Sequence, residues 1–130
     1  NKSFYYINKS INTFEKEVIG KYSAYLVRGN MFSEIGNYVA AINDYNNATL
    51  IHKNIFEIPD SYSLAKSTII YEKYNMTDYF CQNISELIKI LDSEKLDEFE
   101  KNEIRKLFKS FEQNIDLFNL DGCISIVSEQ

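Results

Sequence analysis

Few side chains in this 130-residue chain are of the types that bind metals or act as nucleophiles. Two cysteines, Cys81 and Cys123, lie 42 residues apart, and His52 is the single histidine. Because a zinc site needs Cys or His ligands paired at short spacings, this arrangement argues against zinc. We interpret both cysteines as small buried apolar residues rather than as a disulfide, and His52 as a polar residue near the end of a helix.

The other candidates for chemistry are carboxylates and one loop-like stretch. Glu98 and Glu100 stand in a charge-rich segment, which is typical of a solvated helix face rather than of general acid–base catalysis. The stretch 119–122 resembles part of a calcium loop, but Leu117 and Ser128 occupy positions that need acidic ligands. There is also no glycine-rich phosphate loop. The sequence therefore predicts no catalytic residue, no metal, no cofactor and no enzyme activity.

Charge and hydropathy exclude two further classes of function. The net charge is −5 at pH 7 and the pI is about 4.9, whereas nucleic-acid binders usually show a basic face. No apolar run reaches the length of a membrane span. We therefore expect neither nucleic-acid binding nor membrane insertion.

Asn-x-Ser/Thr triplets, the acceptor motif for N-linked sugars, are more frequent than chance predicts. Their excess points towards secretion, although several fall within expected helices, and the sequence leaves the compartment open. They begin at Asn1, Asn8, Asn47, Asn75 and Asn83.

The scarcity of chain breakers, four Gly and one Pro, predicts a mostly helical protein. Apolar residues three and four apart, such as Phe4, Ile7 and Ile11, draw a stripe down a first helix, which we expect to end at Gly20. Pro59, Asp60 and Ser61 open a later helix, where Asp60 or Ser61 can cap free N–H groups, and Thr77 or Asp78 should cap the next. The other expected helices cover about 22–35, 38–52, 61–74, 77–91, a group from 92 onwards and a short last helix from 121, with Gly36-Asn37 as a turn and 53–58 as a connector.

One segment, residues 21–54, carries small and aromatic side chains in a known order: Tyr25, Gly29, Phe32, Gly36, Tyr38, Ala41, Ile42, Tyr45 and Ala48. This order resembles the tetratricopeptide repeat (TPR), a 34-residue helix–turn–helix. Gly29 and Ala41 would be small where the two helices cross closely, and Ala48 where the next repeat docks. Two positions depart from the family, because Arg28 replaces a usual Leu and Lys53 replaces the usual closing Pro.

The flanking segments fit the same spacing less completely. Residues 59–92 read as a degenerate repeat, 1–20 as a partial repeat, and 93–130 as a partial repeat or cap. The resemblance implies an all-α fold, with six or seven helices in a single domain over 1–130. It would be an α-solenoid, a right-handed superhelix of antiparallel pairs. Because the chain lacks an initiator Met and its repeats are incomplete, we expect a fragment of a longer protein, whose open ends could self-associate.

In TPR proteins the first helix of each pair lines a concave groove that holds a peptide or a partner helix. The resemblance thus implies a scaffold that binds a protein or a short amphipathic peptide; the alternative is a regulatory or sensor domain of a multidomain protein. We expect no grip on a chaperone C-terminal carboxylate, since Leu26 stands where that subtype needs Lys. The implied groove residues are Leu26, Asn30, Ser33, Glu34, Tyr62, Ile69, Lys73, Arg105 and Phe108.

Overall fold

Six α-helices follow one another in the computed structural model, which describes residues 2–13, 17–113 and 123. Within these ranges there is no strand, so the prediction of an all-α fold is confirmed. None of the six helices is long and apolar enough to cross a membrane. The short helix expected from residue 121 lies outside the described residues. The helices are α1 Lys2–Thr13, α2 Val18–Glu34, α3 Tyr38–Phe56, α4 Ser61–Lys73, α5 Thr77–Leu91 and α6 Glu98–Gln113.

Two expected helix ends are wrong. Gly20 does not end a helix but lies in the first turn of α2, where a glycine costs only about 1 kcal/mol relative to alanine. Residues 53–56 are not a connector, because α3 continues to Phe56. It stops at Glu57, whose φ of 63° lies in the left-handed region and whose N–H donates to the carbonyl of Lys53 at 2.9 Å. A left-handed residue ends a helix even where it is not glycine.

Residues 1–63 and 64–130 form two compact units. In the first unit, α2 and α3 are joined by a tight turn at residues 35–37. Gly36 has a φ of 83°, and the side chain of Asn37 accepts a hydrogen bond from the N–H of Ala40 at 3.3 Å. This is the N-cap geometry that starts a helix. The chain therefore reverses where the sequence placed its Gly-Asn turn.

The α2–α3 crossing depends on Gly29. A Cβ atom on this residue would lie 2.9 Å from Cε1 of Tyr45 and 3.3 Å from Cβ of Asp44. Side chains do not approach one another that closely, so the expectation that Gly29 marks a close crossing is confirmed. Ala41 and Ala48 are fully buried in the same unit, and the ring of Phe4 on α1 lies 4.5 Å from the ring of Phe32. The first unit is thus a packed set of helices around α2.

In the second unit, α5 is strongly amphipathic. One face buries five apolar side chains: Phe80, Cys81, Ile84, Leu87 and Ile90. From α6, Ile104 and Phe111 are buried too, and the Phe111 ring meets Phe80 edge to face at 5.0 Å between centroids. Such aromatic pairs add about 0.5–1.5 kcal/mol to the burial of their area. This unit therefore has a hydrophobic core of its own.

The expected helix start is confirmed at α4 but not at α5 or α6, since α6 begins at Glu98 rather than in the group expected from residue 92. The carboxylate of Asp60 accepts from the N–H of Ser63 at 3.1 Å at the start of α4, and Asp97 accepts from the N–H of Glu100 at 2.8 Å at the start of α6. Neither Thr77 nor Asp78 caps α5, because Met76 occupies the N-cap and makes no side-chain bond. Both residues instead lie inside the first turn of α5.

The expectation of two unpaired cysteines is wrong. Cys81 and Cys123 form a disulfide, with their Cα atoms 4.9 Å apart, and no free cysteine occurs among the described residues. That Cα separation is within the range that a disulfide spans. Both residues are buried, as expected, but the fold also brings them together across 42 residues of chain. Sequence spacing gives no sign of such a pairing.

Candidate functional site

Four of the expected groove residues lie on one face of α2. Leu26, Asn30, Ser33 and Glu34 are spaced by four, three and one residues, which places them on adjacent turns of a helix. Leu26, Asn30 and Ser33 are half-buried, and Glu34 is exposed. We call these four residues, together with Tyr62, the α2 face.

Asn30 is the centre of this face, because its amide bonds to two tyrosines. Its Oδ1 accepts from the hydroxyl of Tyr45 at 2.6 Å, and its Nδ2 donates to the hydroxyl of Tyr62 at 3.1 Å. Tyr45 is 1% exposed, whereas Tyr62 is 45% exposed. A polar chain therefore runs from the core of the first unit, through Asn30, to the surface.

The Tyr45 phenol, at the buried end of this row of hydrogen-bonded side chains, has a raised pKa. The pKa of Tyr45 is raised to about 12, mainly by burial and also by the nearby Tyr62 and Asp44, while a hydrogen bond with Ser33 opposes the shift. The phenol therefore stays protonated at neutral pH, and its O–H donates to Asn30. This donation fixes the orientation of the Asn30 amide, because Oδ1 must face Tyr45 and Nδ2 must face Tyr62.

The other four expected groove residues belong to the second unit. Ile69 is 44% exposed, Lys73 is exposed on the last turn of α4, and Phe108 is half-buried on α6. Arg105 is exposed, and its Nη1 donates to Oδ1 of Asn102 at 2.8 Å and lies 3.7 Å from a carboxylate oxygen of Glu98. Among the expected groove residues of the first unit, the structure brings Asn30 and Tyr62 into contact.

Sequence reasoning missed an ion pair of the first unit, between Arg28 and Asp44. Nε and Nη2 of Arg28 donate to the two carboxylate oxygens of Asp44 at 2.8 and 2.7 Å, and Nη1 donates to Oδ1 of Asn8 at 2.5 Å. The hydrogen bonds with Asp44 raise the pKa of Arg28 above its usual value, although partial burial opposes the shift. Asp44 stands on α3 amid the buried stripe of Ala41, Tyr45 and Ala48, and that placement was a signal available in the sequence.

His52 contacts residues at the end of α3 and in the loop before α4. Its Nδ1 lies 2.6 Å from the carbonyl oxygen of Ile58, which can only accept, so Nδ1 carries the hydrogen. Its Nε2 lies 4.0 Å from a carboxylate oxygen of Asp60, and its ring is 4.7 Å from that of Phe56. The histidine thereby ties α3 to the loop ahead of α4. Among the residues that the structure describes, no group of three His, Cys, Asp or Glu could hold a metal ion.

Comparisons of the chain with protein families, with curated proteins and with solved structures found no match.

Proposed function

We propose that this protein is a non-enzymatic interaction module, in which the α2 face binds a short amphipathic peptide of a partner protein. The resemblance of residues 21–54 to a TPR suggests that face, and a solenoid of helix pairs is the architecture that goes with it. The observation that carries the proposal is the contact of Asn30 with Tyr45 and Tyr62.

The Asn30 amide has the chemistry that main-chain recognition needs. A side-chain amide has two N–H donors and two acceptor lone pairs on its oxygen, and the two tyrosines engage one donor and one lone pair. The second donor and lone pair point away from those partners and match the C=O and N–H of an extended peptide. Because Tyr45 already holds the amide in place, little rotational freedom is lost on binding.

The residues around Asn30 supply the contacts that would select side chains. Leu26, one turn earlier on α2, offers a half-buried apolar surface. Tyr62 is 45% exposed and presents an aromatic ring, a side-chain type enriched at binding hot spots. Glu34 is exposed and carries a negative charge at the far end of the face. The combination suits a peptide with apolar side chains and a basic residue.

Selection from a random-peptide display library tests the proposal directly. We expect the chain to enrich sequences with apolar residues next to Lys or Arg. In NMR titrations with an enriched peptide, the signals of Leu26, Asn30 and Tyr62 should shift most. Failure to enrich any sequence over a no-bait control, or shifts centred elsewhere, would refute the proposal.

Variants separate binding from folding. N30A removes the hydrogen bonds of Asn30 to Tyr45 and Tyr62. It also leaves the buried hydroxyl of Tyr45 without its acceptor, so the variant is less stable as well. N30D keeps that acceptor but loses the N–H donors, and Y62F keeps the ring but loses the hydroxyl. We expect N30D and Y62F to weaken peptide binding while helical circular dichroism is unchanged. N46A, a matched change at an exposed position of α3, should bind as the wild type does.

A further inference from the structure

The motif Asn75-Met76-Thr77 occupies the turn between α4 and α5. Asn75 and Thr77 are exposed, and Asn75 has a φ of 57°, in the left-handed region that asparagine tolerates better than most residues. Backbone bonds hold this turn: the N–H of Asn75 donates to Glu72 at 3.2 Å, and that of Met76 donates to Tyr71 at 2.9 Å. The exposed amide of Asn75 is therefore available at the surface without a change in the fold.

The other described triplets lie in helices, and two of them have asparagines that the fold uses. Nδ2 of Asn83, on α5, donates to Oγ of Ser67 at 2.9 Å in a partly buried contact. Oδ1 of Asn8 accepts from Arg28 on α2. Asn47 is half-buried on α3. An N-linked sugar is bulky and must stay in solvent, so a glycan on Nδ2 of Asn83 would disturb its partly buried contact with Ser67. Asn75 alone among these described asparagines stands in an exposed turn.

A second observation concerns the compartment. The disulfide between Cys81 and Cys123 belongs to the same unit as Asn75. Disulfides persist in oxidising environments such as the endoplasmic reticulum and the cell exterior, and they are rare where glutathione keeps thiols reduced. The oxidising compartment of eukaryotic cells is also the one in which N-linked sugars are attached. The disulfide and the exposed acceptor motif are thus two separate features that agree.

We propose that Asn75 is a site of N-linked glycosylation. The donor is a lipid-pyrophosphate-linked oligosaccharide, and a membrane-bound transferase catalyses the step. Nδ2 of Asn75 attacks the anomeric carbon of the first sugar and forms the N–C bond. The bond from that carbon to the pyrophosphate oxygen breaks, the lipid pyrophosphate leaves, and the amide nitrogen gives up one proton to a basic group of the transferase. Thr77 supplies the hydroxyl that the acceptor motif requires.

Peptide mapping of the protein purified from the cells that make it tests the assignment. Digestion with a peptide N-glycosidase in heavy-oxygen water converts a glycosylated asparagine into a labelled aspartate. We expect the label at Asn75 and none at Asn83. An unlabelled, fully unmodified Asn75 peptide would overturn the proposal.

Variants secreted from a eukaryotic host provide the second arm. N75G removes the acceptor but suits the positive φ, so the turn should be kept. N75G and T77A should each lose one glycosidase-sensitive step in electrophoretic mobility, whereas T77S and the control N83Q should keep it. If N75G retains the full mobility shift, or if the wild type shows none, Asn75 is not the site.

Discussion

The guanidinium of Arg28 meets the carboxylate of Asp44 through two parallel hydrogen bonds, of 2.8 and 2.7 Å, between α2 and α3. The Asp44 side chain is 1% exposed and that of Arg28 is 20% exposed, so the pair is largely withdrawn from water. The carbon ζ of Arg28 also lies 5.6 Å from the ring centroid of Tyr25 and 5.7 Å from that of Phe32. An ion pair in this setting fixes how α2 and α3 fit together.

Removing either partner of this pair should destabilise the protein strongly. R28M leaves the Asp44 carboxylate buried without a cation, and the loss of one partner from a buried pair costs about 3–5 kcal/mol. D44A leaves the Arg28 guanidinium unpaired and should have a similar effect. The double variant R28M/D44A should lose less than the sum of the two, as measured by urea unfolding.

An exposed pair provides the comparison. Lys89 and Glu86 on α5 lie 3.5 Å apart, with side chains 69% and 42% exposed. Exposed pairs contribute only about 0–1 kcal/mol, so K89M should leave the unfolding midpoint nearly unchanged. Equal effects of R28M and K89M, or strict additivity in the double variant, would contradict the assignment of a coupled buried pair.

The sequence predicted the α2–α3 turn and the capping of α4 because each depends on local chemistry: Gly36 and Asn37 at the turn, Asp60 at the cap. It missed the true end of α3, because Glu57 adopts a left-handed conformation that glutamate does not normally favour. Long-range pairings were harder still. The disulfide between Cys81 and Cys123 forms because the fold brings together two residues that are 42 positions apart.

The candidate site divides in the same way. The resemblance to the TPR named Asn30 as a groove residue, and Asn30 lies on α2. Its hydrogen bond to Tyr45 joins two helices, so no local pattern could give the distance or the buried state of that hydroxyl. Tyr62 was named from the resemblance, and its contact with Asn30 emerged only with the folded chain.

Gly29 should be intolerant of any side chain. A Cβ there would lie 2.9 Å from Tyr45, whose ring is buried, so the ring would have to shift within a packed core. Overpacking of this kind costs about 1–3 kcal/mol and outweighs the gain of about 1 kcal/mol in helix propensity from Gly to Ala. We expect G29A to lower the free energy of unfolding, measured by chemical denaturation.

A second glycine variant distinguishes crowding from backbone strain. G36A places its Cβ where nothing lies within 4 Å, but at a φ of 83°. Such a conformation costs a non-glycine residue about 1–2 kcal/mol. A crystal structure or NMR spectra of G29A should show displaced Tyr45, whereas those of G36A should not. A G29A protein more stable than the wild type would disprove the close crossing.

Reduction of the disulfide should weaken the second unit. The bond closes a loop of 42 residues, and the chain-entropy relation assigns about 4 kcal/mol to a loop of that length. A phosphine reductant should therefore lower the denaturation midpoint of the wild type. C81A/C123A should be less stable than the oxidised protein and insensitive to the reductant. If reductant leaves the wild-type midpoint unchanged, or if non-reducing peptide maps show both cysteines free, the bond is absent.

The stability of the protein should fall in strongly alkaline solution because of Tyr45. Burial, with a further contribution from nearby Tyr62, raises the pKa of its phenol from 10.0 to about 12. Between these two pH values the native state keeps a proton that the unfolded state has released. The free energy of unfolding therefore decreases as the pH rises through this window, by about 2–3 kcal/mol in total. Below pH 10 the contribution is complete.

The matched control for this titration is Y45F, which keeps the buried ring and removes the ionising hydroxyl. Y45F loses the hydrogen bond to Asn30 and should be less stable at neutral pH by about 1 kcal/mol. Its free energy of unfolding should decline less steeply than that of the wild type between pH 10 and 12, since both proteins share every other titrating group. The difference in ultraviolet absorbance between the wild type and Y45F should show one tyrosinate step near pH 12. Parallel declines would mean that the Tyr45 hydroxyl is in contact with water, and that the polar chain to Asn30 does not start in the core.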